Sequence, residues 1–284
     1  MSQLVLGTAQ FGHGYGITNS RGRLSDNEVA SILDLALESG ITRIDTAAVY
    51  GDALERLRPW ASKFAFTGKI VGTDPIDPLE QITASLRTLG RDTFDACLVR
   101  EWDRLDQPRR DLIIERMIAA LDQGLIERIG VAAYTRDDVH SFRSHLHRAG
   151  QDMDAVQVPA NPVDRRLDQD VELQQLADAG FEVAVRSAFL QGLLLQETDT
   201  QFTEHPDLRR YWEFVRESEF GSPIQICLAH VKALPWATQV VVGVSSLVEW
   251  EQILTAWSSA APELLPAALV STDEVLLDPR LWRR

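Results

Sequence analysis

Cysteine is nearly absent. Two in 284 residues exclude a disulfide framework, and no spacing resembles a metal knuckle. Cys97 and Cys227 each lie in an apolar run and are expected as small core residues of a chain in the reducing cytoplasm. Positive charge is scarce too: 28 Lys and Arg against 42 Asp and Glu leave a formal charge of −14 and a pI near 4.9. Without a basic cluster, neither nucleic acid nor an anionic membrane is an expected partner, because both need concentrated positive charge. Long apolar stretches are also missing. One uncharged stretch, Ala233 to Val248, has 16 residues and is broken by Pro235 and polar side chains, too short to span a bilayer. The opening MSQLVLGTAQ has no basic region ahead of an apolar core, so no signal peptide is expected. At 45% hydrophobic and 25% charged residues, the balance is that of a soluble globular protein and excludes disorder, collagen and coiled coil.

What recurs instead is a short apolar run without clean alternation: Leu4–Thr8, Arg43–Thr46, Phe64–Thr67, Ala96–Val99, Ile129–Tyr134, Ala155–Pro159, Glu182–Ser187 and Gln239–Val244. Strands buried on both faces look like this and belong to parallel sheets covered by helices. Helix-period segments fill most of the gaps. Ser25-Asp26-Asn27-Glu28 forms a capping box, followed by an apolar stripe of Val29, Ile32, Leu33 and Ala36, with Gly40 as C-cap. A second helix is expected to place Leu112, Ile113, Ile118 and Leu121 on one face and to end at Gly124. Others start near Pro78, Thr135, Leu167, Ser222 and Leu247. Eight strands alternating with eight helices, at about 35 residues per unit, predict one α/β domain over residues 1–284, a single (β/α)8 TIM barrel. A C-terminal tail is expected from about residue 272. The other arrangement weighed, an open doubly wound sheet, more often has five or six strands and a glycine-rich turn after the first.

In such a barrel the active site lies at the C-terminal ends of the strands, so polar residues at the end of each run are candidates. Asp45, with Tyr50 five residues on, follows the second run; Lys69 follows the third, Arg100 and Glu101 the fourth. Gln157 and Asn161 belong to the sixth, Arg186 and Ser187 to the seventh, Ser245 and Ser246 to the eighth. A shared polar mouth accounts for side chains that are costly to bury without partners. Asp45, Tyr50 and Lys69 together suggest a proton-transfer device. A tyrosine hydroxyl ordinarily ionises near pH 10, too high for efficient exchange around neutrality. A neighbouring ammonium favours the phenolate, and an aspartate holds the ammonium in place. A tyrosine so tuned can protonate a carbonyl oxygen as hydride arrives at carbon. The plain alternative is three ordinary surface ion-pairing residues.

The run RIDTAAVYG, Arg43 to Gly51, resembles the signature of the aldo-keto reductase superfamily. Nearly the whole chain shares the resemblance, through LGTAQFG, GLIERIGVAAY, VQVPANPVDRR, RSAFLQGLLL and VVGVSS at strands one, five, six, seven and eight. The strand-seven run is similar to a bacterial subgroup associated with surface-carbohydrate biosynthesis. The resemblance implies a barrel that binds NADPH or NADH extended, without a Rossmann domain, and reduces a small-molecule aldehyde or ketone. It implies Tyr50 as proton donor, Lys69 as the partner that favours its phenolate, and Asp45 as the residue fixing that lysine. Lys69 lacks the usual preceding threonine; Lys63 is the weaker candidate, since it would begin strand three. Gln157 would hold the nicotinamide carboxamide. Ser187 to Gly192, with Phe189 and Leu190, would pass along the pyrophosphate, and Ser245 with Ser246 would take the adenosine-phosphate end. Thr8, Arg186 and Gly243 complete the implied cofactor-binding set.

Several positions depart from that pattern. The family's fourth catalytic residue, a histidine after strand four, is replaced by Arg100, whose fixed charge suits it to favour phenolate or clamp an anionic group. A Ser-Asn pair after strand five reads Ala132-Ala133. The aromatic residue that commonly stacks on the nicotinamide reads Arg186, a planar group that also stacks. The residues that usually face adenine read Glu249 and Ile253, and no Arg or Lys follows Gly243 to receive a 2′-phosphate. Two functions are therefore carried forward: an NAD(P)H-dependent carbonyl reductase, with sugar-derived substrates in view, and a barrel whose redox chemistry is lost or repurposed as a cofactor sensor or scaffold. A metal-dependent hydrolase is disfavoured because no strand ends in a histidine pair. Gly12 to Gly16 (GHGYG) has the wrong spacing for a dinucleotide fingerprint, and no helix is expected before Ser25, so it reads as a flexible loop at the barrel mouth. His145 and His147, two apart on a polar helix, are expected in solvent and make poor joint metal ligands. His13 is placed to reach substrate, Trp102 either walls the pocket or packs at its rim, and Trp282 is expected to fasten the tail.

Overall fold

The eight apolar runs become eight strands. In the computed structural model, which describes residues 2–282 apart from 198, 220 and 264, they are β1 Gln3–Gly7, β2 Arg43–Asp45, β3 Ala65–Val71, β4 Ala96–Arg100, β5 Ile129–Ala132, β6 Ala155–Pro159, β7 Glu182–Arg186 and β8 Gln239–Gly243. Each pairs in parallel with its sequence neighbour, and β8 returns to β1, closing an α/β barrel of the (β/α)8 TIM type. Residues 1, 283 and 284 of the expected domain lie outside the described residues.

Side chains alternate between the two faces of the wall. On β3, Phe66 and Ile70 join the apolar layer beneath the helices, leaving Thr67 and Lys69 for the barrel interior. On β4, Cys97 and Val99 point outward while Ala96 and Leu98 pack inside with Ala155. The same parity turns Asp45, Lys69, Arg100, Gln157 and Arg186 inward, each toward the C-terminal end of its strand. At the opposite end, an ionic cluster closes the bore: Glu182 receives Arg43 at 3.0 Å and Arg128 at 2.9 Å.

Local signals set most helix starts. Helix Asp26–Glu38 begins at the Ser25–Glu28 capping box and buries Val29, Ile32, Leu33 and Ala36; Ser39 is its cap, and Gly40 follows with φ 75°. Helices Pro78–Leu89, Arg136–Arg148, Pro223–Lys232 and Leu247–Ser259 also start where expected. Other expectations are corrected. Helix Gln107–Asp122 turns Ile113, Ile114, Met117 and Ala120 to the core, leaving Leu112, Ile118 and Leu121 half-buried on its flanks. The helix after β6 starts at Val171, not near Leu167, because the Asp170 carboxylate accepts from the N–H groups of Glu172 and Leu173. A single turn, Ala9–Gly12, directly follows β1. The eight-for-eight alternation is also loosened: the β2–β3 connection carries one short α-helix, Ala53–Leu57, and the β7–β8 connection carries two, Pro206–Glu217 and Pro223–Lys232.

Beyond Ser259, the short turns Ala267–Leu269, Glu274–Leu277 and Pro279–Leu281 return to the barrel. There Trp282 packs edge-on against Phe202 at 5.0 Å and donates to the Val275 carbonyl at 2.8 Å. Among the described residues no helix is long and apolar enough to cross a membrane.

Candidate active site

The inward-facing residues converge on a cavity of about 440 Å³ at the C-terminal end of the barrel. Its floor is a chain of contacts reaching across the bore. Asp45, 3% exposed, accepts Lys69 Nζ on one carboxylate oxygen and Gln157 Nε2, at 2.8 Å, on the other. Lys69 Nζ also donates to Tyr50 Oη at 3.4 Å. Carboxylate, ammonium and phenol are thus contiguous, and the buried ion pair between the first two is costly to split, since either partner alone is an uncompensated buried charge.

Tyr50 lies in the loop after β2, held by a close approach of two backbones. A Cβ on Gly12 would lie 1.5 Å from the Tyr50 carbonyl oxygen, and one on Gly51, φ 59°, would lie 2.4 Å from the Gly12 carbonyl oxygen. Only glycines let the turn Ala9–Gly12 seat against the Tyr50 loop in this way. The same GHGYG run sets the His13 ring 6.3 Å from that of Tyr50 and brings Tyr15 to the cavity. Tyr15 is 38% exposed yet lines the cavity. Burial there, with Tyr50 and Tyr134 alongside, pushes its pKa up to about 12 against the opposing pull of Arg186 and Arg100.

Arg100 closes β4 and sets its guanidinium 6.0 Å from the centre of the Tyr50 ring. Its neighbour Glu101 adopts φ 60° and takes the Thr73 hydroxyl on its carboxylate. Trp102 is no pocket wall: buried, it donates to Ser141 Oγ at 3.1 Å and packs edge-on against Phe142 and His145. His145 therefore departs from its expected place in solvent. It is 9% exposed, with Nδ1 2.7 Å from the Ser141 carbonyl and Nε2 3.2 Å from Gln107 Oε1, because its helix lays that face over Trp102. His147 stays half-exposed and meets Asp152 at 3.0 Å. Among the described residues no cluster of His, Cys, Asp and Glu is placed to hold a metal ion.

Residues 3–263 match the model of the Aldo/keto reductase family. The chain belongs to that family. Among solved structures, an aldo-keto reductase from Bacillus halodurans in its holo form is similar with a TM-score of 0.72 and 18% identity, over 92% of this chain and 88% of that one. Its apo form gives 0.67 at 18% identity, over 91% and 87%. A protein assigned as an aldo-keto reductase from Pseudomonas aeruginosa gives 0.64 at 21% identity, over 91% and 90%. These likenesses are likenesses of fold. No curated protein matches the chain.

In this aldo/keto reductase, an oxidoreductase fold by family, the other side of the cavity is built around Tyr134. Arg186 stacks on its ring at 4.0 Å while donating to the Ala133 carbonyl at 2.9 Å and to Ser187 Oγ at 3.4 Å. Arg280, from the C-terminal turns, stacks on the same ring at 3.8 Å and is held by Asp103 and Asp278. Sequence reasoning missed Tyr134 and Arg280. Ala132 lines the cavity; Ala133 is buried. Past β7 the chain is strained: Ser187, Leu190 and Gln191 have φ of 58°, 46° and 53°, followed by Gly192 at 95°, backbone that L-residues seldom adopt without tethers. Asn161 Nδ2 and Thr18 Oγ1 supply them, donating to the carbonyls of Ser187 at 3.1 Å and Gln191 at 3.2 Å. Ser187, Phe189 and Gly192 line the cavity, whereas the Leu190 side chain packs into the core.

Around β1 and β8, Thr8 is buried with its hydroxyl on the Asp45 carbonyl at 3.0 Å. Gly243 leaves room for Gln10, whose Oε1 would lie 2.3 Å from a Cβ there and is itself buried without a hydrogen-bond partner. Ser246 caps helix Leu247–Ser259 by accepting the Glu249 N–H at 3.1 Å. Ser245 is engaged by Glu249, and Ile253 is buried in the core away from the cavity. Gln10 carried no signal beyond its place within the LGTAQFG run.

Proposed function

We propose that this protein reduces an aldehyde or ketone, sugar-derived carbonyls being the expected class, using NADH or NADPH and taking the proton from Tyr50. The contact chain Tyr50–Lys69–Asp45–Gln157 carries the reading. When bound, the nicotinamide supplies hydride to the carbonyl carbon. The cavity is of the size that cofactor sites have, and the unpartnered Gln10 Oε1 offers an acceptor to a ligand donor, so the residues present fit such a group. Thr8, Gln157, Arg186 and Gly243 would line its seat, with the Ser187–Gly192 loop and Ser245–Ser246 further along.

The chain's own groups do the rest. Tyr50 Oη delivers its proton to the carbonyl oxygen as negative charge develops there. The Lys69 ammonium, 3.4 Å away, stabilises the phenolate left behind, and Asp45, itself fixed by Gln157, keeps that ammonium in place. Arg100 adds a fixed positive charge beside the same oxygen. The enclosing barrel holds substrate in reach of Tyr50, which makes the transfer effectively unimolecular.

Tryptophan fluorescence titrated with NADH and NADPH, and a panel of aldehydes and keto-sugars run beside Tyr50→Phe, test the proposal. Cofactor oxidation that the phenylalanine variant matches would remove Tyr50 as donor. No fluorescence change with either nucleotide would favour the repurposed barrel, which the Ala132-Ala133 pair motivates.

A further inference from the structure

Most cations around the cavity are neutralised within the chain. Lys69 pairs with Asp45, and Arg280 with Asp103 and Asp278. Arg100 and Arg186 are different. Among the described residues Arg100 has no side-chain hydrogen bond and no carboxylate partner, and Arg186 donates only to neutral acceptors. The acids lining the same cavity are engaged elsewhere, Glu101 by the Thr73 hydroxyl and Glu249 by Ser245. Tyr15, close enough to feel both guanidiniums, keeps its proton well past neutrality and offers no counter-charge. A chain of net charge −14 thus turns into its cavity two guanidiniums that no carboxylate contacts directly, of which Arg186 still feels the Asp278 charge and Arg100 has no such partner.

A half-buried guanidinium without a counter-charge is unfavourable, and its planar fork matches a carboxylate or phosphate bidentately. We propose that Arg100 selects an anionic substrate: its guanidinium receives a carboxylate or phosphate borne by the carbonyl compound, with Arg186 strengthening the positive field. This rests on the reductase reading above. Arg100 lies 6.0 Å from the centre of the Tyr50 ring, whose hydroxyl meets the carbonyl oxygen. The anionic group is therefore expected on the same side of the cavity as the carbonyl, a short chain away from it.

Substrate pairs matched except for charge decide it: succinic semialdehyde against butanal, and glyceraldehyde 3-phosphate against glyceraldehyde, with wild type, Arg100→Lys and Arg100→Met. Hydrogen bonds to charged groups lead us to expect wild-type kcat/KM to favour the anionic member of a pair by about 10- to 100-fold, expressed in KM. That preference collapses in Arg100→Met and is partly restored in Arg100→Lys, which keeps the charge but not the fork. Which pair responds separates a carboxylate from a phosphate. A neutral member used equally well, or a preference unchanged in Arg100→Met, overturns the proposal while leaving the reductase reading intact. Should no carbonyl be reduced, calorimetry with malonate and inorganic phosphate decides instead. Binding by wild type that Arg100→Met loses, at an unchanged melting temperature, sustains the anion site without the reductase reading; no binding overturns it.

Discussion

The Glu249 carboxylate accepts both the backbone N–H of Ser245, at 2.6 Å, and its hydroxyl, at 2.7 Å. These donors stand at the end of β8, beside the first turn of helix Leu247–Ser259, where a ligand anion would otherwise find them. A resident carboxylate fills that place, and among the described residues the cavity wall there carries no arginine or lysine. A nucleotide with an additional phosphate at this end meets negative charge and already-used donors. The expected outcome is tighter binding of NADH than NADPH, by about tenfold or more for one unfavourable charge contact, measured by fluorescence titration. Glu249→Gln should narrow that difference. An equal or reversed preference in the wild type would place the adenosine end elsewhere.

At the other end, Tyr50→Phe is expected to lower kcat by about 10²- to 10⁴-fold, the usual worth of a positioned proton donor, without moving the melting temperature. Lys69→Met should behave differently. It strips the buried Asp45 of its ion-pair partner and leaves only the Gln157 hydrogen bond, a change worth about 3–5 kcal/mol of stability. Adding Asp45→Asn should return much of that stability but none of the activity. Denaturant unfolding of the single and double variants separates the structural cost from the chemical one.

Gly12→Ala tests how the proton donor is held. A Cβ 1.5 Å from the Tyr50 carbonyl oxygen and 2.9 Å from the Ala53 nitrogen meets backbone on both sides, so the turn Ala9–Gly12 must back away from the Tyr50 loop. Overpacking of this kind typically costs about 1–3 kcal/mol. The expected signature is a drop in kcat larger than the loss of stability explains, because Tyr50 shifts relative to Lys69. Retained kcat at reduced stability would mean that the loop is fixed by other contacts.

Sequence legibility followed the apolar pattern and failed where that pattern was interrupted. The run Phe64–Thr67 understated β3, which continues to Val71. Gly68 faces outward against Phe94, where a Cβ would lie 2.8 Å from the ring, and Lys69 faces the bore. A glycine and a lysine together hid the strand's second half. Lys69 accordingly sits within the strand, not just past it. His145 looked solvent-facing because its helix is polar, and Trp102 looked like a wall or rim of the pocket because it follows Arg100, yet the positive φ at Glu101 leads the chain into a turn that buries Trp102 beneath the His145 helix. The stack of Arg186, Tyr134 and Arg280 joins three distant segments through the C-terminal turns, and no local spacing encodes such a contact. Asp45 and Gln157 were legible as polar residues closing apolar runs, and Tyr50 through its place in RIDTAAVYG; the Glu249 contact with Ser245 was not, since either side chain alone looks like ordinary helix capping.

Alkaline pH should expose a weakness of the core. Burial pushes the thiols of Cys97 and Cys227 from 9.0 up to about 12. It likewise raises the Tyr211 hydroxyl well above its ordinary value, the Cys227 thiol adding to the effect. Tyr211 donates to the Leu194 carbonyl at 2.9 Å and lies 3.5 Å from Cys227 Sγ. The unfolded chain releases these protons at lower pH than the folded one, so stability is fully present below about pH 9 and declines as pH rises from there toward 12. Denaturant midpoints measured from pH 7 to 11 should fall above pH 9, and Cys227→Ala should flatten part of the decline. In the native protein at pH 8 both thiols should resist iodoacetamide for hours and react within minutes once unfolded. Rapid alkylation of the folded chain would show that one of them opens to solvent, and a midpoint flat through pH 11 would show that their protons do not distinguish the two states.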